Sequence, residues 1–185
     1  GDIFINLPMG KQEIFTIGHS TRELKEFLEI LDHYTVTLLA DVRTVPRSRH
    51  NPQFNKDMLL ASLKQAKIRY EHMSSLGGLR HSNLKDSPNT GWRNASFRNY
   101  ADYMQTARFD KALNLLMEKA GDDCIAIMCA EAVPWRCHRS LIADALLIRG
   151  FEVLHIFSSA SFRKHVLTPW ARVRGLQILY PPEFS

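Results

Sequence analysis

Two nearly continuous apolar runs, VTLLADV from Val36 to Val42 and CIAIMC from Cys124 to Cys129, constrain this chain more than any other feature. Each is short and apolar at successive positions, so each reads as a strand buried on both faces, the habit of parallel sheets covered by helices on either side. Parallel neighbours need long crossover connections, and the intervening sequence supplies them. EIFTIG, residues 13–18, reads as a further strand leading to a helix over residues 22–33, with Ser20 and Glu23 forming a capping box. A helix over 56–66 precedes a short strand at 69–72. Helices over 100–105 and 109–119 precede CIAIMC, and a helix over 137–149, stopped by Gly150, precedes a strand at 152–156. One more helix is expected around 162–166. The alternation predicts an α/β domain of three layers with a mostly parallel sheet, a single domain over residues 13–185. Residues 1–12 read as a leader or an expression remnant, with Met9 a candidate initiator, and stand outside the fold reasoning.

Residues 74–99 interrupt the alternation with Gly77, Gly78, Pro88 and Gly91. Loops beyond about 12–15 residues are usually functional or disordered. The embedded Leu79, Leu84, Trp92 and Phe97 predict a folded lid.

Chemistry concentrates in CAEAVPWRCHRSLIAD, from Cys129 to Asp144, where two cysteines, a glutamate, a histidine and two arginines separate an apolar strand from an apolar helix. A hydrophobic core has no use for that mixture. Strand-to-helix turns of a parallel sheet share one carboxyl rim, where ligands bind. The rim is expected to gather His19 and Ser20, Asp41 and Arg43, Glu71 and His72, Cys129 and Glu131, and His155. Cys129 reads either as a nucleophile presented by the turn or as a core cysteine ending a strand. Cys137 reads as a thiolate favoured by Arg136, His138, Arg139 and a helix N-terminus, or as a thiol packed under the turn. Cys124 reads as core. No zinc-ligand spacing is present, and no metal or cofactor is required.

Lysine and arginine exceed aspartate and glutamate by five, a bias toward phosphate-bearing partners. Arg43, Arg47, Arg80, Arg136 and Arg139 are candidate phosphate ligands, and Trp92, Tyr100 and Trp135 offer flat faces to a base. Three clustered cysteines point to a reducing, cytoplasmic setting rather than a secreted disulfide frame. No apolar run approaches the roughly 20 residues of a membrane span.

TIGHSTRELKEFLEIL, LLADVRTVPRSRHNPQFN, IRYEHMSSLGGLR, GWRNASFRNYADYM and IMCAEAVPWRCHRSLIAD together resemble the domain-of-unknown-function family 488, DUF488. The resemblance implies a compact domain with a Rossmann-like sheet. It carries over His19, Ser20, Asp41, Arg43, Pro46, Gly77, Gly78, Arg80, Cys129, Glu131, Cys137, His138 and Arg139 as site positions, but no activity. LLADVR followed by a strand ending in cysteine is also similar, more weakly, to rhodanese-like domains; the segment after Cys129 lacks their glycine, and Pro134 removes an amide from any anion cradle. The expectation is an enzyme acting on a nucleotide or nucleic acid. Cys129, Cys137, Glu131, His138, His19 and Asp41 are its catalytic candidates, and Ser20, Gly77, Gly78, Trp135 and the named arginines its binding candidates. The alternatives are a non-catalytic nucleic-acid-binding module and a cysteine-based redox, sulfur-transfer or metal-responsive protein. Oligomeric state is left open.

Overall fold

A computed structural model describes residues 10–82 and 84–183. The expectation about Met9 and residues 1–9 lies outside the described residues. Six strands form one sheet: β1 (Glu13–Gly18), β2 (Leu38–Asp41), β3 (Arg69–His72), β4 (Ile125–Cys129), β5 (Glu152–Ser158) and β6 (Ser161–Lys164). Their order is β3-β2-β4-β1-β5-β6, parallel throughout except for the antiparallel β6. The helices are α1 (Leu24–His33), α2 (Lys56–Gln65), α3 (Ala95–Tyr103), α4 (Ala107–Lys119) and α5 (Arg139–Leu147).

Apolar side chains from the two faces of the sheet form two separate cores. Phe27, Ile30 and Leu31 of α1 and Leu59 and Leu63 of α2 join one. Phe109, Leu113 and Leu116 of α4 and Leu141, Ile142 and Leu146 of α5 join the other. Helices α1 and α2 therefore cover one face and α3 to α5 the opposite one, giving a three-layer, Rossmann-like α/β domain. Right-handed crossovers explain the arrangement, because the chain reverses its direction across the sheet after β3 and must change faces when it does. A small antiparallel hairpin, β7 (Arg172–Arg174) and β8 (Gln177–Leu179), follows and places Ile178 and Tyr180 in the second core.

Three expectations need correction. The segment expected as a helix at 162–166 is instead the edge strand β6, entered by a two-residue turn between Ser158 and Ser161. Five residues are too few to nucleate a helix, whereas β5 offers an open edge of hydrogen-bonding groups. Ser20 caps no helix: its φ is 48°, and its amide donates to the Ala130 carbonyl at 2.9 Å. Helix α1 accordingly begins at Leu24, with Glu23 at its cap and no side-chain cap bond. The long loop ends earlier than expected, because Asn94 accepts from the amides of Ser96 and Phe97 and starts α3 at Ala95.

The loop before α3 is anchored by one carboxylate. Ser82 and Ser87 each donate to Asp102 at 2.6 Å, and Asn89 donates to it at 2.7 Å. Asn89 also accepts the Tyr180 amide, so a single acid of α3 ties the loop to the C-terminal hairpin. Asp102→Ala leaves these donors unpaired and is expected to cost roughly 2–4 kcal/mol. Urea unfolding measures the loss, and limited proteolysis should begin cutting within residues 74–94.

Candidate functional site

Strands β2, β4 and β1 lie side by side in that order, and the carboxyl ends of β2 and β4 open on a pocket of about 430 Å³. Its wall includes Arg43, Gly78, Cys129, Glu131, Arg136, Cys137 and His138. Of the residues expected together at the rim, Arg43, Cys129 and Glu131 line this pocket, joined by residues of the long loop, of α3 and of the turn before α5. Gly18 sits level with Cys129 in the β1–β4 register, and a Cβ there would collide with the Glu131 carbonyl. This close approach allows β1 to run on beside the turn after β4, with the His19 amide donating to the Cys129 carbonyl at 2.9 Å.

Arg139, expected as a phosphate ligand, is instead fully buried at the first position of α5 and does not line the pocket; it lies beneath the two cysteines that do. Its Nε donates to Cys129 Sγ at 2.9 Å, one terminal nitrogen to Thr16 Oγ1 at 2.7 Å, and the other to the Glu131 carbonyl at 2.6 Å. None of the ion pairs among the described residues includes Arg139. A buried guanidinium keeps its charge and needs an anion nearby. The anion at hand is sulfur, for Cys129 Sγ and Cys137 Sγ lie 2.8 Å apart. Burial works against ionisation of Cys137, but the hydrogen bond from Cys129 and the charge of Arg139 outweigh it and bring the thiol down to about 7. Burial and the shared bond with Cys137 push Cys129 well up. The pair therefore gives up its first proton readily and its second with difficulty.

His138 stands on the other side of Cys137, with Nδ1 3.3 Å from the sulfur. Its Nε2 donates to the Val42 carbonyl at 2.9 Å, which leaves Nδ1 free to accept the thiol proton. Burial lowers the pKa of His138 below the ordinary histidine value. Gly78 packs against this ring; a Cβ would come within 2.6 Å of Nδ1. Gly77 likewise makes room for Thr44. Both glycines thus position the histidine and the loop, and Gly78 also lines the pocket.

A second arginine is fixed by a carboxylate. Asp41, fully buried, receives Arg43 Nε at 2.9 Å and a terminal nitrogen at 2.7 Å, plus the Tyr70 hydroxyl at 2.6 Å. Arg43 also reaches His19 Nε2 at 3.4 Å, while His19 Nδ1 donates to the Ser20 carbonyl and its ring stacks on Phe54. Burial, aided by Arg43, holds the His19 pKa down. Asp41 and His19, expected among the catalytic residues, instead hold Arg43 against the pocket without lining it.

Other expected residues lie elsewhere. Arg47 is exposed and Arg80 is bound to the Gly77 and Ser74 carbonyls and lies 3.9 Å over the Tyr103 ring, so neither lines this pocket. Ser20 lies outside it, and Trp135 borders a neighbouring depression. Tyr100 is core, its hydroxyl donating to the Leu76 carbonyl. Glu71 pairs with Lys119, and His72 bonds the Arg43 carbonyl. Cys124 is half-buried, its thiol 3.5 Å from the Tyr34 carbonyl.

His155 is not on the rim, because β5 continues three residues beyond it. It belongs to a buried row that sequence reasoning missed. From Arg139 the row passes through Thr16 to His155 Nδ1 at 2.6 Å, from His155 Nε2 to His165 Nδ1 at 2.9 Å, and from His165 Nε2 to Asp144 at 2.7 Å. Tyr180 and the Thr168 amide complete the Asp144 carboxylate. Burial, helped by His165 and Arg139, lowers the pKa of His155 to about 3. Thr44, Asn94 and Phe97, also missed, line the pocket from the loop and from α3. Their only signals were that Thr44 follows Arg43 and that Asn94 and Phe97 belong to the Asn-Ala-Ser cap and the helix it opens.

Among the described residues, no group of three or more histidine, cysteine or acidic side chains is disposed to hold a metal ion. No helix of the described residues is long and apolar enough to cross a membrane. The family model described as "Domain of unknown function DUF488" matches residues 23–146, about two thirds of the 185 residues. No curated protein and no solved structure matches the chain.

Thiolate formation sets a pH dependence. The folded pair loses a proton near pH 7, whereas an unfolded cysteine keeps its own until about 8.5. Between those values the unfolded chain binds more protons, so this pair adds stability as pH rises through that window and loses it as pH falls through 7. Iodoacetamide should label Cys137 with a rate whose midpoint lies near pH 7, as read by peptide mass spectrometry. A midpoint at or above 8.5 would mean that no early thiolate exists.

Proposed function

Because the chain belongs to the DUF488 family, whose description assigns no activity, we propose its function from the site: an enzyme that uses a cysteine thiolate as nucleophile on a phosphate-bearing substrate, a nucleotide or nucleic acid. One observation carries the reading. Cys137 Sγ lies between a base, His138 Nδ1 at 3.3 Å, and a thiol partner, Cys129 at 2.8 Å, on the floor of a pocket. A nucleophile within reach of a base that is itself oriented by a third group, here the Val42 carbonyl, is the arrangement of covalent catalysis.

Arg43 and Arg136 line the same pocket; Arg136 is exposed and supplies positive charge for a phosphate, while Arg43, neutralised by Asp41, offers oriented N–H groups. The Asp41 clamp fixes the Arg43 guanidinium before substrate arrives, so little orientation entropy is lost on binding. His138 accepts the Cys137 proton; because burial disfavours its charged form, it readily returns the proton to a leaving group. Glu131 is exposed at the pocket mouth, where Oε1 accepts the Val133 amide at 3.1 Å. It is assigned the role of acid or base toward the incoming second reactant. A reducing compartment such as the cytoplasm would preserve both thiols.

Incubation with a panel of nucleotides and oligonucleotides, followed by intact mass spectrometry and product analysis, tests the proposal. The wild type is expected to turn over at least one member or to carry its adduct on Cys137. Cys137→Ser should lower the rate by 100-fold or more, Glu131→Ala should lower it without changing urea stability, and Arg136→Gln, at an exposed position of the pocket wall, should act mainly through KM. Full activity in Cys137→Ser would remove the nucleophile assignment.

A further inference from the structure

The pocket above the two thiols does not end at its own wall. It shares Asn94 and Phe97 with a second depression of about 570 Å³, which in turn shares Trp92, Pro169 and Trp170 with a third of about 530 Å³. The three adjoin across these shared side chains as one candidate groove, and each falls within the range of roughly 300–1,000 Å³ that accommodates a small ligand. All three tryptophans of the chain, Trp92, Trp135 and Trp170, lie along it. Their placement combines rigidity with exposure. Trp92 stacks on Phe97 at 4.8 Å between ring centres and meets Trp170 edge-on at 4.8 Å, while Trp135 is 54% and Trp170 36% exposed.

Cations alternate with these rings. Arg93 and Arg172 line the second depression, and Arg163 and Lys164 the third, with the Arg163 guanidinium 5.5 Å from the Trp135 ring centre. Glu183 is the only carboxylate lining the second depression among the described residues, and none lines the third. Flat faces interleaved with positive charge suit a strand of bases joined by phosphates. Successive bases stack on aromatic rings while the backbone follows the charge. A duplex hides its base faces, and a single nucleotide would occupy only one of the three depressions.

We propose that the ligand of this groove is single-stranded nucleic acid several nucleotides long, with bases on Trp135 and Trp170 and one nucleotide delivered to the Cys137 pocket. The substrate is then a polynucleotide rather than a free nucleotide. The delivery step rests on the thiolate chemistry proposed above; the binding itself does not.

Fluorescence anisotropy with labelled 12-mers of single-stranded DNA and RNA, the corresponding duplexes, and mononucleotide competitors tests both parts. The full chain is expected to bind a single strand at least tenfold more tightly than a duplex, with the logarithm of the affinity falling linearly as log salt rises. Trp135→Ala should weaken binding by about 5- to 150-fold, the range of one lost base stack. Both Trp135 and Arg163 are exposed, so Trp135→Ala and Arg163→Glu should retain the wild-type melting curve, and Arg163→Glu should flatten the salt dependence. Comparing DNA with RNA shows which sugar is preferred. Anisotropy reads binding whether or not turnover or an adduct follows, which separates the two proposals. Tight single-strand binding without turnover or adduct would retain the groove and discard the thiolate chemistry. Turnover of a mononucleotide without oligonucleotide binding would do the reverse. Equal affinity for duplex and single strand, or Trp135→Ala and Arg163→Glu variants that bind unchanged, would overturn the groove assignment.

Discussion

A fully buried guanidinium without a carboxylate partner is the constraint on which the rest of the site depends. Arg139 lies beneath the pocket and spends its donors on a thiol, a hydroxyl and two turn carbonyls. Each of those bonds fixes a different element: β1 through Thr16, β4 through Cys129, and the turn after β4 through Glu131 and Ala132. Desolvating such a charge costs several kcal/mol unless an anion accompanies it. The cysteine pair meets that need by ionising, so the requirement that holds the turn together also activates the sulfur.

The positive end of that arrangement is continued on the far side by a row of dipoles. Thr16, His155 and His165 lead from Arg139 to Asp144, whose carboxylate also receives Tyr180 and the Thr168 amide. The C-terminal segment is thereby hydrogen-bonded to the same helix that carries Arg139. The second arginine follows a different logic. Arg43 has a full counter-ion in Asp41, so its charge is neutralised in sum but its guanidinium is held in place against the pocket. One arginine thus shapes the chemistry of the thiols and the other shapes the ligand-facing wall.

Much of the fold was legible because it rests on local periodicity. The apolar runs at 36–42 and 124–129 became β2 and β4, the two strands between which the rim residues gather. Ends were less legible. Ser20 looked like a helix cap by spacing, but the turn after β4 draws its amide away. Phe162 and its neighbours became a strand because β5 left an edge to pair with, a fact carried by β5 and not by the segment itself.

From the sequence alone came the presence of a reactive mixture at a strand-to-helix turn, and the membership of Cys129, Glu131, Cys137, His138 and Arg139 in it. The roles within that mixture were decided by tertiary structure. Whether a buried arginine faces an acid or a thiol, whether His138 turns Nδ1 to Cys137 or to solvent, and whether Asp41 meets substrate or Arg43 all depend on contacts between segments far apart in the chain. Sequence spacing records which groups lie close along the backbone; it carries no record of which charges share a desolvated volume. That sharing sets protonation, and protonation sets what the site can do.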